Sequence, residues 1–133
     1  TPTPAPTPAP ADKNGFNFGA YDTTKLLSSS LTDVKGNFED SILQRTANTS
    51  LELYKLKGNI GLHTYQNTTL VTFVISGKGV FTIGDKKQNV ANGSVVIIPA
   101  GTAMAFQNSD DKTHPLNFVI MKTPFDDTNV KWN

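Results

Sequence analysis

From Leu51 onward, apolar and polar residues alternate with a period of two and are cut every few residues by glycine, asparagine or aspartate. Such alternation places one row of side chains on each face of a strand, whereas an amphipathic helix needs a period near 3.6. Leu51 and Leu53 alternate with Glu52 and Tyr54, and Ile60, Leu62 and Thr64 alternate with Gly61, His63 and Tyr65. Thr69 to Ile75 is apolar at nearly every residue, the pattern of a strand buried on both faces. Val80 to Ile83, Gln88 to Val90, Ser94 to Ile98, Thr102 to Gln107 and Leu116 to Met121 continue the series, with Gly84-Asp85 and Asn92-Gly93 as tight turns. Seven or eight short strands without a long helical pattern predict an all-β sandwich or barrel. Gly77-Lys78-Gly79, between two strongly apolar strands, predicts a sharp corner where side chains would clash.

The chain ahead of this core reads differently. Residues 1–10 are TPTPAPTPAP, and alternating proline fixes φ and removes amide donors, so residues 1–12 are expected to be an extended polyproline leader reaching about 30 Å. A stalk of this kind suggests a lipoprotein, with a lipidated cysteine upstream of Thr1 and an extracytoplasmic location, periplasmic or at the cell surface. Residues 13–49 form an N-terminal extension. In it Asp22 or Thr23 caps a short helix through Leu31, with Leu26, Leu27 and Leu31 as its apolar side. Gly36-Asn37 reads as a turn and Phe38 to Gln44 as a strand. Residues 50–133 are the β domain.

Composition removes several classes of function. The chain has 133 residues, enough for one domain, and a net charge of +1 with Arg45 as its only arginine. Nucleic-acid binding needs clustered Lys and Arg against phosphates, so that class is set aside. No apolar run reaches the roughly 20 residues a membrane helix requires. With no cysteine, disulfide frameworks, zinc ribbons, iron–sulfur sites and thiol catalysis are excluded. Nucleophile elbows and phosphate-binding loops are also missing. His114 and the acidic pairs Asp110-Asp111 and Asp126-Asp127 fall in polar runs that read as solvated loops.

Two stretches in order carry a family resemblance. HTYQNTTLVTFVISGKG, from His63 to Gly79, resembles the first cupin motif, in which glycine, His-x-His, glutamate and glycine stand at set intervals. His63 takes the first histidine position, Tyr65 the second, and Leu70 that of the glutamate, with six residues between it and Gly77. GSVVIIPAGTAMAFQN resembles the second motif from Gly93 through Pro99 and Gly101 to Asn108, with Met104 at the position of the third histidine. The resemblance covers roughly residues 50–125 and implies a single-domain cupin (RmlC-like), a jelly-roll antiparallel β-barrel with a short N-terminal extension. It also implies a departure. Metal-binding cupins use three histidines and a glutamate, and here only His63 keeps a ligand type, so no functional metal or other cofactor is expected.

The resemblance places His63, Tyr65, Leu70, Met104 and Phe106 around the ligand pocket. Three functions follow as expectations. The first is a metal-free module that binds a small molecule, a sugar or apolar metabolite. The second is an isomerase- or lyase-like enzyme with His63 as base and Tyr65 as acid, as in the metal-free epimerase branch of the family. The third is a structural subunit of a surface assembly, with homodimers formed through sheet edges as cupins commonly do.

Overall fold

The computed structural model describes residues 15–133. The expected leader, residues 1–12, lies outside the described residues. Among the described residues, eleven strands form two facing sheets. The first sheet contains β1 (Asp33–Val34), β2 (Phe38–Arg45), β3 (Ser50–Leu56), β5 (Thr69–Ser76), β8 (Val95–Ile98) and β10 (Leu116–Thr123), in the spatial order β1-β2-β3-β10-β5-β8. The second contains β4 (Asn59–Tyr65), β6 (Lys78–Ile83), β7 (Lys86–Ala91), β9 (Ala103–Asn108) and β11 (Val130–Trp132), in the order β11-β4-β9-β6-β7. Every pairing is antiparallel, and successive strands cross repeatedly between the sheets, which is jelly-roll topology. Among the described residues, no helix is long and apolar enough to cross a membrane.

β10 organises the space between the sheets. Leu116, Phe118 and Ile120 alternate inward and are fully buried, and Lys122 continues that row. At the Leu116 end, where β10 meets Leu56 of β3, aromatic rings fill the interior. Phe81 and Phe106 lie 4.5 Å apart, Phe106 and Phe118 5.7 Å, and Tyr54 stacks on Phe118 at 5.3 Å. At the Lys122 end, where β10 meets Ser50 and Leu70, packing is incomplete and a cavity remains.

The N-terminal helix, α1, is shorter than its leucine spacing predicts. Asp22 caps it as expected, accepting from the Lys25 N–H at 3.1 Å, but the helix covers only Thr23–Leu27. The Ser28-Ser29-Ser30 run ends it: the hydroxyls of Ser28 and Ser29 donate to the carbonyls of Lys25 and Leu26, a local alternative to helical bonding. Leu31 therefore leaves the helix and is buried, its N–H donating to Glu39 Oε1 at 2.9 Å, while Leu26 stays exposed. Farther upstream, Asn17 and Gln44 exchange two hydrogen bonds of 2.9 Å, tying the extension to the first sheet.

β5 also departs from expectation. Leu70, Thr72 and Val74 face the core, but Phe73 is 41% exposed, and its neighbours on β8, Val95 and Ile97, are more so. A continuous apolar run fits a strand covered on both faces, yet the outer face is covered only in part: Val71 and Ile75 are half-buried, with Thr23 and Leu27 of α1 beside Ile75, while Phe73 is left exposed.

The Gly77–Gly79 corner is as tight as its sequence predicts. Gly77 has φ +86°, and a Cβ there would meet the Pro115 carbonyl and Leu116 Cα. A Cβ on Gly79 would strike the Gln107 carbonyl and the Leu116 side chain, whereas one on Gly61 meets nothing within 4 Å. We expect Gly79→Ala to destabilise the fold by about 1–3 kcal/mol. Gly61→Ala should stay within about 0.5 kcal/mol of wild type. Urea-unfolding midpoints with unchanged m-values check both, and equal stability of the two variants would contradict the packing described.

Candidate functional site

A β-bulge creates the site. Along β4, Asn59 and Ile60 face Gln107 and Phe106 of β9, but His63 and Thr64 face Met104 and Ala103, so β4 carries one extra residue between the two pairs. The extra residue reverses the inward phase. Strict alternation would send Ile60 and His63 to opposite faces, yet both are buried, while Leu62 lies 38% exposed between them. His63 and Tyr65 then share the inner face.

His63 is held in one chemical state. Its Nδ1 lies 2.7 Å from the Gly61 carbonyl oxygen, which can only accept, so Nδ1 carries the hydrogen and Nε2 bears a lone pair. Nε2 has no hydrogen-bond partner among the described residues and is not one of the buried polar atoms left unpaired, so it is accessible on a ring that lines the cavity. The ring is packed by aromatic neighbours: Trp132 stacks at 4.5 Å, with Tyr65 and Phe106 edge-on at 5.7 and 5.9 Å. Burial pushes the imidazole below its ordinary value of 6.5; the Gly61 bond opposes this and the nearby Lys122 charge adds to it. At neutral pH His63 is an uncharged acceptor.

Lys122 provides the cation. Its Nζ donates to Glu52 Oε1 at 3.1 Å, Tyr54 Oη at 3.2 Å and Tyr65 Oη at 3.1 Å, so its three N–H bonds are all engaged. Tyr54 in turn donates to Glu52 Oε1 at 3.1 Å, and Ser50 donates to Glu52 Oε2 at 2.7 Å. Burial works against charge on both members of the pair. For Glu52, the Lys122 charge and the bonds from Ser50, Lys122 and Tyr54 outweigh it and hold the carboxyl below its usual range. For Lys122, Tyr54, Tyr65 and Glu52 together hold the ammonium above its usual range. Burial raises Tyr54, which stays a neutral phenol. The Tyr65 hydroxyl accepts from Lys122 and donates to no described residue.

The cavity encloses about 300 Å³. Asp33, Asp40 and Glu52 on its walls are balanced by Lys35, Arg45 and Lys122. Lys35 bridges Asp33 and Asp40 at 2.6 and 3.1 Å near the mouth, and Arg45 lies 3.6 Å from Glu52 Oε2. Ile60, Leu70, Phe106, Ile120 and Trp132 supply apolar wall.

Of the residues expected at the pocket, His63, Tyr65, Leu70 and Phe106 line this cavity. Met104 is fully buried in the core and does not line it. Sequence reasoning missed Glu52, Tyr54, Asp40, Lys122 and Trp132. Two had a legible signal: Lys122 extends the row Leu116, Phe118, Ile120, and Glu52 precedes Tyr54 and Leu56 in another inward row. His114 sits in an exposed loop with Asp110 and Asp111, its Nδ1 3.1 Å from Asp111 Oδ1, away from the cavity.

The donor set does not fit a resident divalent metal. Leu70 and Met104 offer no nitrogen or oxygen at the positions the resemblance assigns, and Glu52 is occupied by its own partners. A cation bound by His63 and Tyr65 would also sit beside the ammonium 3.1 Å from Tyr65 Oη, with like-charge repulsion in a poorly screened interior.

Residues 52–121 match the family model described as the cupin domain. An uncharacterised protein of Streptomyces coelicolor is 39% identical over 54 residues, 41% of this chain and 50% of that protein, so the match spans about half of this curated relative. An uncharacterised double-stranded β-helix protein of Klebsiella pneumoniae superposes with TM-score 0.70 at 17% identity, covering 85% of this chain and 95% of that one. Streptomyces Pac13, a nucleoside dehydratase studied as variants with uridine, superposes with TM-score 0.66 at 13% identity, covering 75% of this chain and 81% of that one. At such identities the likeness is one of fold.

Two outcomes test the site as described. Trp132 is the only tryptophan, and an imidazolium stacked on indole quenches its emission. A pH titration of the emission should show a midpoint below 6.5, absent in His63→Gln. The unfolded imidazole takes its proton near 6.5 and the folded one only at lower pH, so His63 leaves stability unaffected above that range and erodes it as pH falls through it. A midpoint at or above 6.5 would contradict the burial described. Secondly, Lys122→Met alone leaves the buried Glu52 carboxylate with only the partly exposed Arg45 as counter-charge and should cost about 3 kcal/mol, while Glu52→Gln with Lys122→Met should recover most of that loss. Urea unfolding of the two variants checks the difference.

Proposed function

The chain belongs to the cupin family, and from that premise we propose that its cavity binds, without metal, a small uncharged molecule bearing hydroxyl or carbonyl groups on a ring. One observation carries the reading: His63 Nε2 and the Tyr65 hydroxyl, an acceptor and a donor two residues apart, both keep an unused valence in one cavity. Balanced wall charges favour a neutral ligand over a polyanion, and the apolar walls suit the face of a ring. That Pac13, a cupin relative in fold, is studied with uridine supports a nucleoside or sugar as the first probe.

Titration with uridine and with neutral monosaccharides, followed by Trp132 emission and melting temperature, tests this. Saturable binding should weaken about five- to tenfold in Tyr65→Phe, the usual worth of one hydrogen bond. If no neutral nucleoside or sugar changes either signal, the reading fails.

The same pair of valences favours a second reading, acid–base catalysis on the bound molecule. His63 Nε2 would take a proton from one position and the Tyr65 hydroxyl deliver one to another. Incubating the bound probe in D2O distinguishes the readings: deuterium entering a C–H position in wild type but not in His63→Gln identifies an enzyme, and unchanged probe identifies a binding module.

Homodimer formation belongs to the same proposal. The exposed row Phe73, Val95 and Ile97, beside the edge strand β8, supports it as the contact face. Light scattering on Phe73→Lys/Ile97→Lys should show a monomer where wild type is a dimer, and a monomeric wild type would refute it. An extracytoplasmic, lipid-anchored location is proposed on the proline-rich leader alone.

A further inference from the structure

Inside a cupin cavity a lysine would ordinarily be read as a ligand-binding cation. The hydrogen-bond inventory argues otherwise. An ammonium has three N–H bonds and no acceptor, and Lys122 directs them to Glu52 Oε1, Tyr54 Oη and Tyr65 Oη. No N–H is left for a ligand. Each partner is constrained in return. Tyr54 uses its one hydrogen on Glu52, and Glu52 is fixed by Ser50 as well. Tyr65 is the one member whose hydrogen has no acceptor in the network, and with a lone pair held by Lys122 that hydrogen must point away from the ammonium.

We propose that Lys122 is a positioning residue: anchored by Glu52 and Tyr54, it fixes the Tyr65 hydroxyl as a donor into the cavity and acts on the ligand only through that hydroxyl. The proposal rests on the reading of the cavity as a binding site for a neutral molecule and adds its specificity. The ligand must offer an acceptor to Tyr65 and a donor to His63 Nε2 in adjacent positions. A carboxylate or phosphate gains no direct contact from Lys122.

The network also has a directional logic. Phenols can donate or accept, so a tyrosine in a mixed cavity is ambiguous as a recognition element. An engaged ammonium on one side removes the ambiguity. Lys122 lies opposite Leu70 and Ser50 in the β10 ladders, on the strand between β3 and β5, which lets it reach tyrosines from both sheets.

The test uses the full chain labelled at tyrosine Cζ, which gives three resonances, for Tyr21, Tyr54 and Tyr65. Because Lys122→Met alone leaves a buried charge, the variant is Glu52→Gln/Lys122→Met, which removes both charges. We expect the Tyr54 and Tyr65 resonances to move, Tyr21 to stay, and the backbone amides of β4 to keep their positions. In uridine titrations followed by Trp132 emission, this variant and Tyr65→Phe should each lose about five- to tenfold in affinity, and combining them should lose no more. An unmoved Tyr65 resonance overturns the proposal, as does a displaced β4, which would make the network a general support of the strand. Losses that multiply also overturn it, because Lys122 would then act on the ligand independently of Tyr65. Should uridine not bind wild type, the binding reading fails for that probe while the resonances still decide the role of Lys122.

Discussion

A buried ammonium cannot be left with unsatisfied hydrogens, and the site is arranged around that constraint. Lys122 stands at the end of an otherwise apolar row on β10, between the two strands that carry Ser50 and Leu70. Its charge is compensated by one carboxylate, Glu52, and its remaining hydrogens by two phenols. Removing charged groups from water is costly, and such a pair is retained against hydrophobic replacement only where geometry is good and every donor is matched. Both conditions hold here. The result is a cavity whose polar end is fully hydrogen-bonded, with Arg45 reaching the buried Glu52 and Lys35 bridging Asp33 and Asp40 near the mouth.

The second determinant is the single extra residue in β4. By reversing the inward phase after Ile60, it brings His63 and Tyr65 to the interior and sets the Gly61 carbonyl against His63 Nδ1. One backbone irregularity thus selects both the side chains that enter the cavity and the tautomer of the imidazole. β11 completes the arrangement by placing Trp132 opposite His63 in register and in stacking contact. With apolar side chains at two family metal positions and a fixed cation beside a third, the chemistry we propose for the cavity is hydrogen bonding and proton transfer by His63 and Tyr65.

Much of the fold was legible before any coordinates, because period-two alternation and turn residues act locally. The Gly77–Gly79 corner and the β2 strand follow from neighbouring residues, whereas the pocket placement of His63 with Tyr65 comes from the family resemblance, since alternation alone does not reveal the β4 bulge that turns them inward. The helix end was misjudged, since leucine spacing carried no information on how the serine hydroxyls compete for carbonyls. Burial of β5 on both faces fails at Phe73 because an apolar strand reads alike whether its outer face is wholly or only partly covered. The Lys122 network is not legible in the sequence: Glu52 and Lys122 lie 70 residues apart and meet only because β3 and β10 are paired. Nor is the three-residue β11, too short to show a period.

The function proposed for the cavity depends on His63 offering it a neutral, unprotonated Nε2. A long-range proton–nitrogen correlation spectrum of the imidazoles at pH 7.5 tests it most directly, with only His63 and His114 to assign. The neutral tautomer protonated at Nδ1 is expected for His63, unchanged by ionic strength. A tautomer protonated at Nε2, or an imidazolium at that pH, would contradict it.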